Sequence, residues 1–139
     1  MALQPGLVSI TFRQLAPLEI IRLVSGAGLT AIEWGGDVHV RPGDREQARA
    51  VGEATAAAGL TTCSYGSYYR VGGENEVGFG DVLDTAVALG APLIRVWPGS
   101  RGSDAADPAY REQVAAETRR IAARAREHGV RVAYEFHRN

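Results

Sequence analysis

The chain has 139 residues, 45% of them hydrophobic and 22% charged, which is an ordinary composition for a globular domain able to bury a core. With 15 basic residues against 16 acidic ones the net charge is -1, which argues against a nucleic-acid partner, since that usually demands a basic face. No apolar run approaches the roughly 18–20 residues of a membrane span, the N-terminus lacks a signal-peptide pattern, and Cys63 is the single cysteine. The expectation is a cytoplasmic protein without a membrane partner, with Cys63 a small core residue in a strand.

Taken in order, Leu7 to Phe12 reads as a first strand. Pro17 to Ala27 follows as a helix with Ile20, Ile21 and Val24 on one face. A second strand ends at Ile32-Glu33-Trp34. Asp44 with Gln47 makes a capping-box-like start for a helix running to about Ala58. The third strand leads into Tyr65, and a third helix near Glu76 to Leu89 aligns Phe79, Val82, Leu83 and Ala86. The fourth strand is Leu93 to Trp97. Asp107 then caps a fourth helix with Pro108 in its first turn and Arg124 and Arg126 near its end, where cations suit the dipole. Val130 to His137 is the fifth strand.

Four segments repeat one design: a helix end, a glycine, a short connection and an apolar strand. Gly28, Gly59, Gly90 and Gly129 mark them, spaced by 31, 31 and 39 residues. A period near 30 is the length of one βα unit, and strict alternation implies a parallel sheet with right-handed crossovers. The remaining choice is between an open doubly wound sheet and part of a (β/α)8 barrel. Glu33, Arg95 and Glu135 fall on the strand face opposite Ile32, Trp34, Ile94, Val96, Tyr134 and Phe136. An open sheet covered on both sides has no good place for three such charges, whereas a barrel lumen does. A Gly-x-Gly-x-x-Gly after the first strand is missing, which weakens the dinucleotide-binding alternative. The fold expected is α/β, a single partial TIM-barrel domain over residues 1–139 with five strands and four helices, about half of a full barrel of about 250 residues.

Glu135 and His137 share one face at the C-terminal end of the fifth strand, the end where parallel α/β proteins build their chemistry. Val130, Val132, Tyr134 and Phe136 form the opposite stripe, suited to packing under helices. Glu33 and Arg95 read first as a lumen ion pair, since mid-barrel charges need partners, and otherwise as contacts to a bound ligand. Trp34 points toward the core. Trp97 faces inward and suits an apolar wall beside polar groups. His39 sits in the loop after the second strand, where it either contacts substrate or is plainly exposed. The segment from Tyr65 to Glu74 carries three tyrosines, Arg70 and Gly72-Gly73, and reads as a mobile flap with Tyr65 a candidate substrate contact. Pro98 to Asp107 reads as a flexible connection.

The stretches Glu33-Trp34-Gly35-Gly36-Asp37-Val38-His39-Val40, Ser64-Tyr65-Gly66-Ser67-Tyr68-Tyr69, Leu93-Ile94-Arg95-Val96-Trp97-Pro98-Gly99 and Tyr134-Glu135-Phe136-His137 resemble the xylose-isomerase-like TIM-barrel superfamily, and more closely its sugar phosphate isomerase/epimerase branch. That resemblance implies a divalent metal held by a Glu, an Asp, a His and a second Glu at later strand ends. Glu135 matches the first of these as ligand and catalytic group, and the other three would lie beyond Asn139. An oxygen ligand of this kind suits Mn²⁺ or Mg²⁺, with Co²⁺ or Zn²⁺ as alternatives. The implied reaction is proton transfer next to a carbonyl through an enediolate, on a sugar or sugar phosphate. His137 would then bind substrate or orient Glu135, unless it is a solvent-exposed loop histidine.

Glu135 also has a plainer reading, as a lumen carboxylate satisfied by Arg131 or Arg95. A competing account makes the chain a non-catalytic half-barrel that associates with a second copy or with a complementary half, because an unclosed sheet exposes two edges. An apurinic-site endonuclease of the same superfamily would call for clustered histidines and a basic face, and 3 histidines with net charge -1 argue against it. A dehydratase of that superfamily stays open.

Overall fold

A computed structural model describes residues 3–136. Its order is β1 (Gly6–Val8), a 3-10 turn (Ser9–Phe12), α1 (Pro17–Gly26), β2 (Ala31–Gly35), α2 (Arg45–Ala57), β3 (Thr61–Arg70), α3 (Phe79–Leu89), β4 (Leu93–Trp97), α4 (Pro108–Glu127) and β5 (Arg131–Tyr134). The five strands lie side by side in chain order, every neighbouring pair parallel. This is the βα alternation that the glycine spacing predicts. All four marker glycines have φ between 71° and 74°, the left-handed conformation that lets the chain leave a helix and enter the next strand.

Local chemistry sets the helix starts. The Asp44 carboxylate accepts the Gln47 N–H at 3.0 Å, and Asp107 accepts the Tyr110 N–H at 2.8 Å. At α1 the Glu19 carboxylate reaches back to the Ala16 N–H at 2.8 Å. The helices cover one face of the sheet. Ile20 and Val24 of α1, Val51 of α2, Leu83 and Ala86 of α3, and Ile121 of α4 bury against Ile32, Trp34, Ile94 and Val96. Trp34 is wholly inside, and its indole N–H donates to Thr55 Oγ1 at 3.2 Å. Among the described residues no helix is long and apolar enough to cross a membrane.

Several expectations need correction. The first strand stops at Val8, because the buried Ser9 hydroxyl accepts the Gly35 N–H at 2.9 Å and takes with a side chain the donor that a longer ladder would use. The segment after Tyr65 is strand as far as Arg70. The third helix begins at Phe79 instead of Glu76, since the Asn75 side-chain amide closes the turn before it. Cys63 is exposed: the register runs Ile32 to Thr62 but Glu33 to Ser64, which leaves Cys63 as an extra residue in a bulge. Tyr134 and Phe136 are 42% and 86% exposed, because an open cleft separates them from α4, which Tyr134 bridges by its hydrogen bond to Thr118.

Helices α2 and α3 meet most closely at Gly52, where an added Cβ would strike the Leu89 carbonyl. Gly26, in the last turn of α1, has open space around that position. Gly52→Ala is therefore expected to destabilise the fold by about 1–3 kcal/mol despite alanine's better helix propensity. Gly26→Ala should be neutral or gain up to about 1 kcal/mol. Urea midpoints of the two variants check this, and equal gains in both would contradict the packing at Gly52.

Candidate functional site

The face of the sheet away from the helices carries one connected polar cluster near the strand ends. Register places Glu33 beside Ser64, Gly66 beside Arg95, and Arg95 beside Ala133, so the charged side chains emerge on the same side. The Arg95 guanidinium is the hub. It donates from Nε to Glu33 Oε1 at 2.9 Å and from Nη2 at 2.8 Å, and it donates from Nη1 to Glu135 Oε2. Ser64 donates to the other Glu33 oxygen at 2.6 Å. The Trp97 indole N–H donates to Glu135 Oε2 at 3.0 Å. The side chains of Arg95 and Glu33 are 15% and 14% exposed, so both charges need these partners.

Gly66 is what lets Arg95 lie flat across β3. A Cβ there would collide with the Arg95 guanidinium and crowd Glu33 Oε1. Beyond Gly66 the ladder breaks and resumes only at Arg70, which pairs with Trp97. Three residues of β3 thus span what Val96 spans alone on β4. The Ser67 hydroxyl donates to the Arg95 carbonyl at 2.8 Å and so satisfies a group the bulge leaves unpaired. Tyr68 takes φ 61°, unusual for a residue bearing a side chain, and is the one such non-glycine among the described residues. Its ring is turned edge-on to Trp97, with centroids 5.2 Å apart, and lies 5.8 Å from the Arg95 guanidinium carbon. Arg13, ion-paired with Asp37, donates to the Tyr68 hydroxyl at 3.3 Å.

Below the bulge, Tyr69 points to the opposite face. It packs on Phe79 and donates to Glu117 of α4 at 2.6 Å. Burial first, then the neighbouring Glu117 carboxylate, push its phenol up to about 12. Glu117 also accepts the Gly72 N–H, so α4 fixes the end of β3. A cleft of about 1020 Å³ opens between the segment after β4, α4 and the end of β5, with Arg70, Trp97, Glu135 and Phe136 on its wall. A second cleft of about 490 Å³ lies across Tyr68 and Arg70 from it.

Of the residues singled out in the sequence, Glu33, Arg95, Trp97 and Glu135 come together. Two others are placed elsewhere. Tyr65 is fully buried on the helix-covered face, with its hydroxyl donating to the Val40 carbonyl at 2.8 Å, so it is a core residue instead of a substrate contact. Burial, and secondarily Asp37, raise its phenol well above the ordinary range. His39 is also inside, 2% exposed, with Nδ1 2.9 Å from Ser9 Oγ and its ring edge-on to Trp34. Neither the open loop position nor a substrate contact fits that burial. His137 lies outside the described residues. Tyr68, Arg70, Ser64 and Arg13 join the site without having been singled out as site residues. The tyrosine- and glycine-rich run after Ser64 is the sequence signal for Tyr68 and Arg70, and nothing local marks Arg13 or Ser64.

The described residues include no group of three or more His, Cys, Asp or Glu that could hold a metal ion. Glu135 offers carboxylate oxygens, and Arg95 and Trp97 both donate to one of them. These residues alone do not make a metal centre.

Parallel βα units with a polar cluster at the C-terminal strand ends define a TIM-barrel architecture. A family model of the xylose isomerase-like TIM barrel matches residues 21–139, and the chain belongs to that family. No curated protein matches it. Among solved structures it is similar to AsbF of Bacillus anthracis, described as a probable 3-DHS dehydratase involved in petrobactin synthesis. That match has a TM-score of 0.80 at 18% identity and covers 99% of this chain and 53% of that one. It is also similar to a D-psicose 3-epimerase solved in the presence of D-fructose (TM-score 0.69, 16% identity, 94% of this chain and 51% of that one). A third is a sugar phosphate isomerase/epimerase from Parabacteroides distasonis (TM-score 0.68, 16% identity, 96% of this chain and 51% of that one). At these identities the likeness is one of fold, and the chain spans about half the length of each.

Arg95→Met removes the cation that Glu33 and Glu135 share, and is expected to cost about 3–5 kcal/mol of stability at neutral pH. Adding Glu33→Gln in the same chain should recover about 1 kcal/mol or more, since it removes one of the stranded charges. Denaturant unfolding of the four members of this cycle is the measurement, and strict additivity would contradict the shared ion pair.

Proposed function

We propose that this chain supplies the N-terminal strands of an isomerase or epimerase acting on a sugar or sugar phosphate through an enediolate. The observation that supports this reading best is the cluster of Glu33, Arg95, Glu135 and Trp97 at the strand ends of a chain of the xylose isomerase-like family. Such chemistry takes a proton from the carbon next to a carbonyl and leaves the electrons on the carbonyl oxygen. The proton returns to the neighbouring carbon in an isomerase, or to the other face of the same carbon in an epimerase. Glu135 is the carboxylate assigned to the reacting end, held in place by Arg95 and Trp97. Trp97 and Tyr68 supply apolar walls, as sugar sites require.

Metal dependence belongs to the same proposal. Glu135 would be the ligand this chain contributes, with Mn²⁺ or Mg²⁺ the fitting ions and the remaining ligands coming from residues other than those described. A bound ion would acidify a sugar hydroxyl and stabilise the enediolate.

A second reading has an observation of its own. Phe136 at 86% exposed, Tyr134 at 42% and Val8 at 37% lie at the two outer strands of the sheet or just beyond. Such edges favour association with a second copy or with a complementary half-barrel. Sedimentation of the chain should then give a mass above the 14.8 kDa of one chain. A monomer with one tightly held Mn²⁺ would sink it.

The catalytic reading is tested by deuterium exchange. In D₂O with Mn²⁺ and a ketose or its phosphate, a barrel that includes this chain should incorporate deuterium beside the carbonyl. Glu135→Gln should slow incorporation by about 100-fold or more. Loss of water from the substrate in place of exchange would establish the dehydratase alternative, and neither reaction would refute both.

A further inference from the structure

Arg70 stands at the junction of the two clefts, and several interactions hold it there. Its backbone N–H donates to Asn75 Oδ1 at 2.7 Å, and its carbonyl accepts from Asn75 Nδ2 at 2.9 Å. The same amide also donates to the Gly73 carbonyl at 3.2 Å. Asn75 is thus a clamp on the residue that ends β3. The guanidinium carbon lies 4.3 Å from the centre of the Trp97 ring, on the indole whose N–H holds Glu135.

The other guanidiniums around the two clefts have acceptors within the chain. Arg13 is paired with Asp37, Arg95 with Glu33 and Glu135, Arg101 with Asp107, and Arg119 with Glu112. Arg111 donates to the Ser103 and Ala106 carbonyls. Arg70 has no carboxylate partner among the described residues. Its guanidinium carbon sits over the Trp97 ring, and among the described residues no acceptor takes the guanidinium N–H donors. Arg70 is exposed, and a guanidinium with open donors at the rim of a cleft that also holds Glu135 fits a planar or tetrahedral oxyanion.

We propose that Arg70 is the specificity-determining residue for an anionic group on the substrate, a phosphate or a carboxylate, held at the rim while the sugar carbons reach Glu135. The inference rests on the sugar isomerase or epimerase reading above, and it narrows the substrate from sugars in general to acidic sugar derivatives. Asn75 acts through Arg70 as a positioning residue.

The test needs neither metal nor turnover, so its failure is separable from failure of the exchange experiment. Trp97 lies beside Arg70 while Trp34, the other tryptophan, is fully buried, so indole emission reports the site. Inorganic phosphate and malonate are titrated separately at constant ionic strength, with chloride as the reference anion. The expected result is a saturable emission change with one or both anions, and the tighter one identifies the substrate group. Arg70→Gln should weaken binding roughly 10- to 100-fold. Arg70→Lys should keep part of it, and Asn75→Ala should weaken it less than Arg70→Gln. Arg119→Gln, on the wall of the same cleft but paired elsewhere, should leave it unchanged. No saturation with either anion, equal affinity in Arg70→Gln, or an equal loss in Arg119→Gln would overturn the assignment. Arg70-dependent anion binding without any deuterium exchange would remove the isomerase reading and leave the anion site standing.

Discussion

One guanidinium ties together three strands that are remote in sequence. Arg95 of β4 bonds Glu33 in the middle of β2 and Glu135 just past β5, and in doing so lies across β3 at Gly66. Two carboxylates on one partly dry face would repel each other and resist desolvation, whereas a shared cation makes their burial tolerable. The requirement propagates outward. Gly66 must lack a side chain, Ser64 must cap the far oxygen of Glu33, and Trp97 must turn its N–H toward Glu135. The polar face is therefore a single arrangement in which each member limits the others.

The bulge in β3 follows from the same constraint. The Arg95 guanidinium occupies the space over Gly66, and there the ladder to β4 stops. The chain instead loops out through Ser67 and Tyr68 and rejoins the ladder at Arg70. A non-glycine residue in the left-handed region costs about 1–3 kcal/mol. Offsetting contributions come from Ser67 on the Arg95 carbonyl, Tyr69 on Glu117, and the edge-on contact of Tyr68 with Trp97. Strain here is held at the site by packing that reaches α4 on the other face of the sheet.

What the sequence reveals divides along the range of the forces involved. Helix starts at Asp44 and Asp107, and the turns at Gly28, Gly59, Gly90 and Gly129, are decided within a few residues, and they stand where their patterns put them. Strand faces follow from alternation, which is why the order of residues alone puts Glu33, Arg95 and Glu135 on one side of the sheet. The misplacements come from contacts across long separations. His39 has the local setting of an open loop residue, but Ser9 draws it inward from 30 residues away. Tyr65 has that of the start of a flap, but Val40, 25 residues earlier, takes its hydroxyl and makes it core. A bulge inverts the rule at Cys63, where one extra residue turns every later side chain to the other face, whereas the two extra residues between Gly66 and Arg70 leave the faces as they were.

The inward charges also bear on why a barrel is the architecture. In a sheet covered on both faces, the Arg95 cluster would have to be fully desolvated, at a cost of several kcal/mol per ion before pairing. Here helices cover only the face of Ile32, Trp34, Ile94 and Val96, and the other face keeps Glu135 at 36% exposure beside a cleft. That asymmetry allows a charged group to stay hydrated enough to react while the strand beneath it stays in the core. The same asymmetry explains the division of aromatic residues. Trp34, Tyr65 and Tyr69 point toward the helices and fix the fold, whereas Tyr68 and Trp97 point away from them and shape the mouth. Alternation along three adjacent strands thus separates stability from recognition, and β3, with its bulge between Gly66 and Arg70, contributes to both.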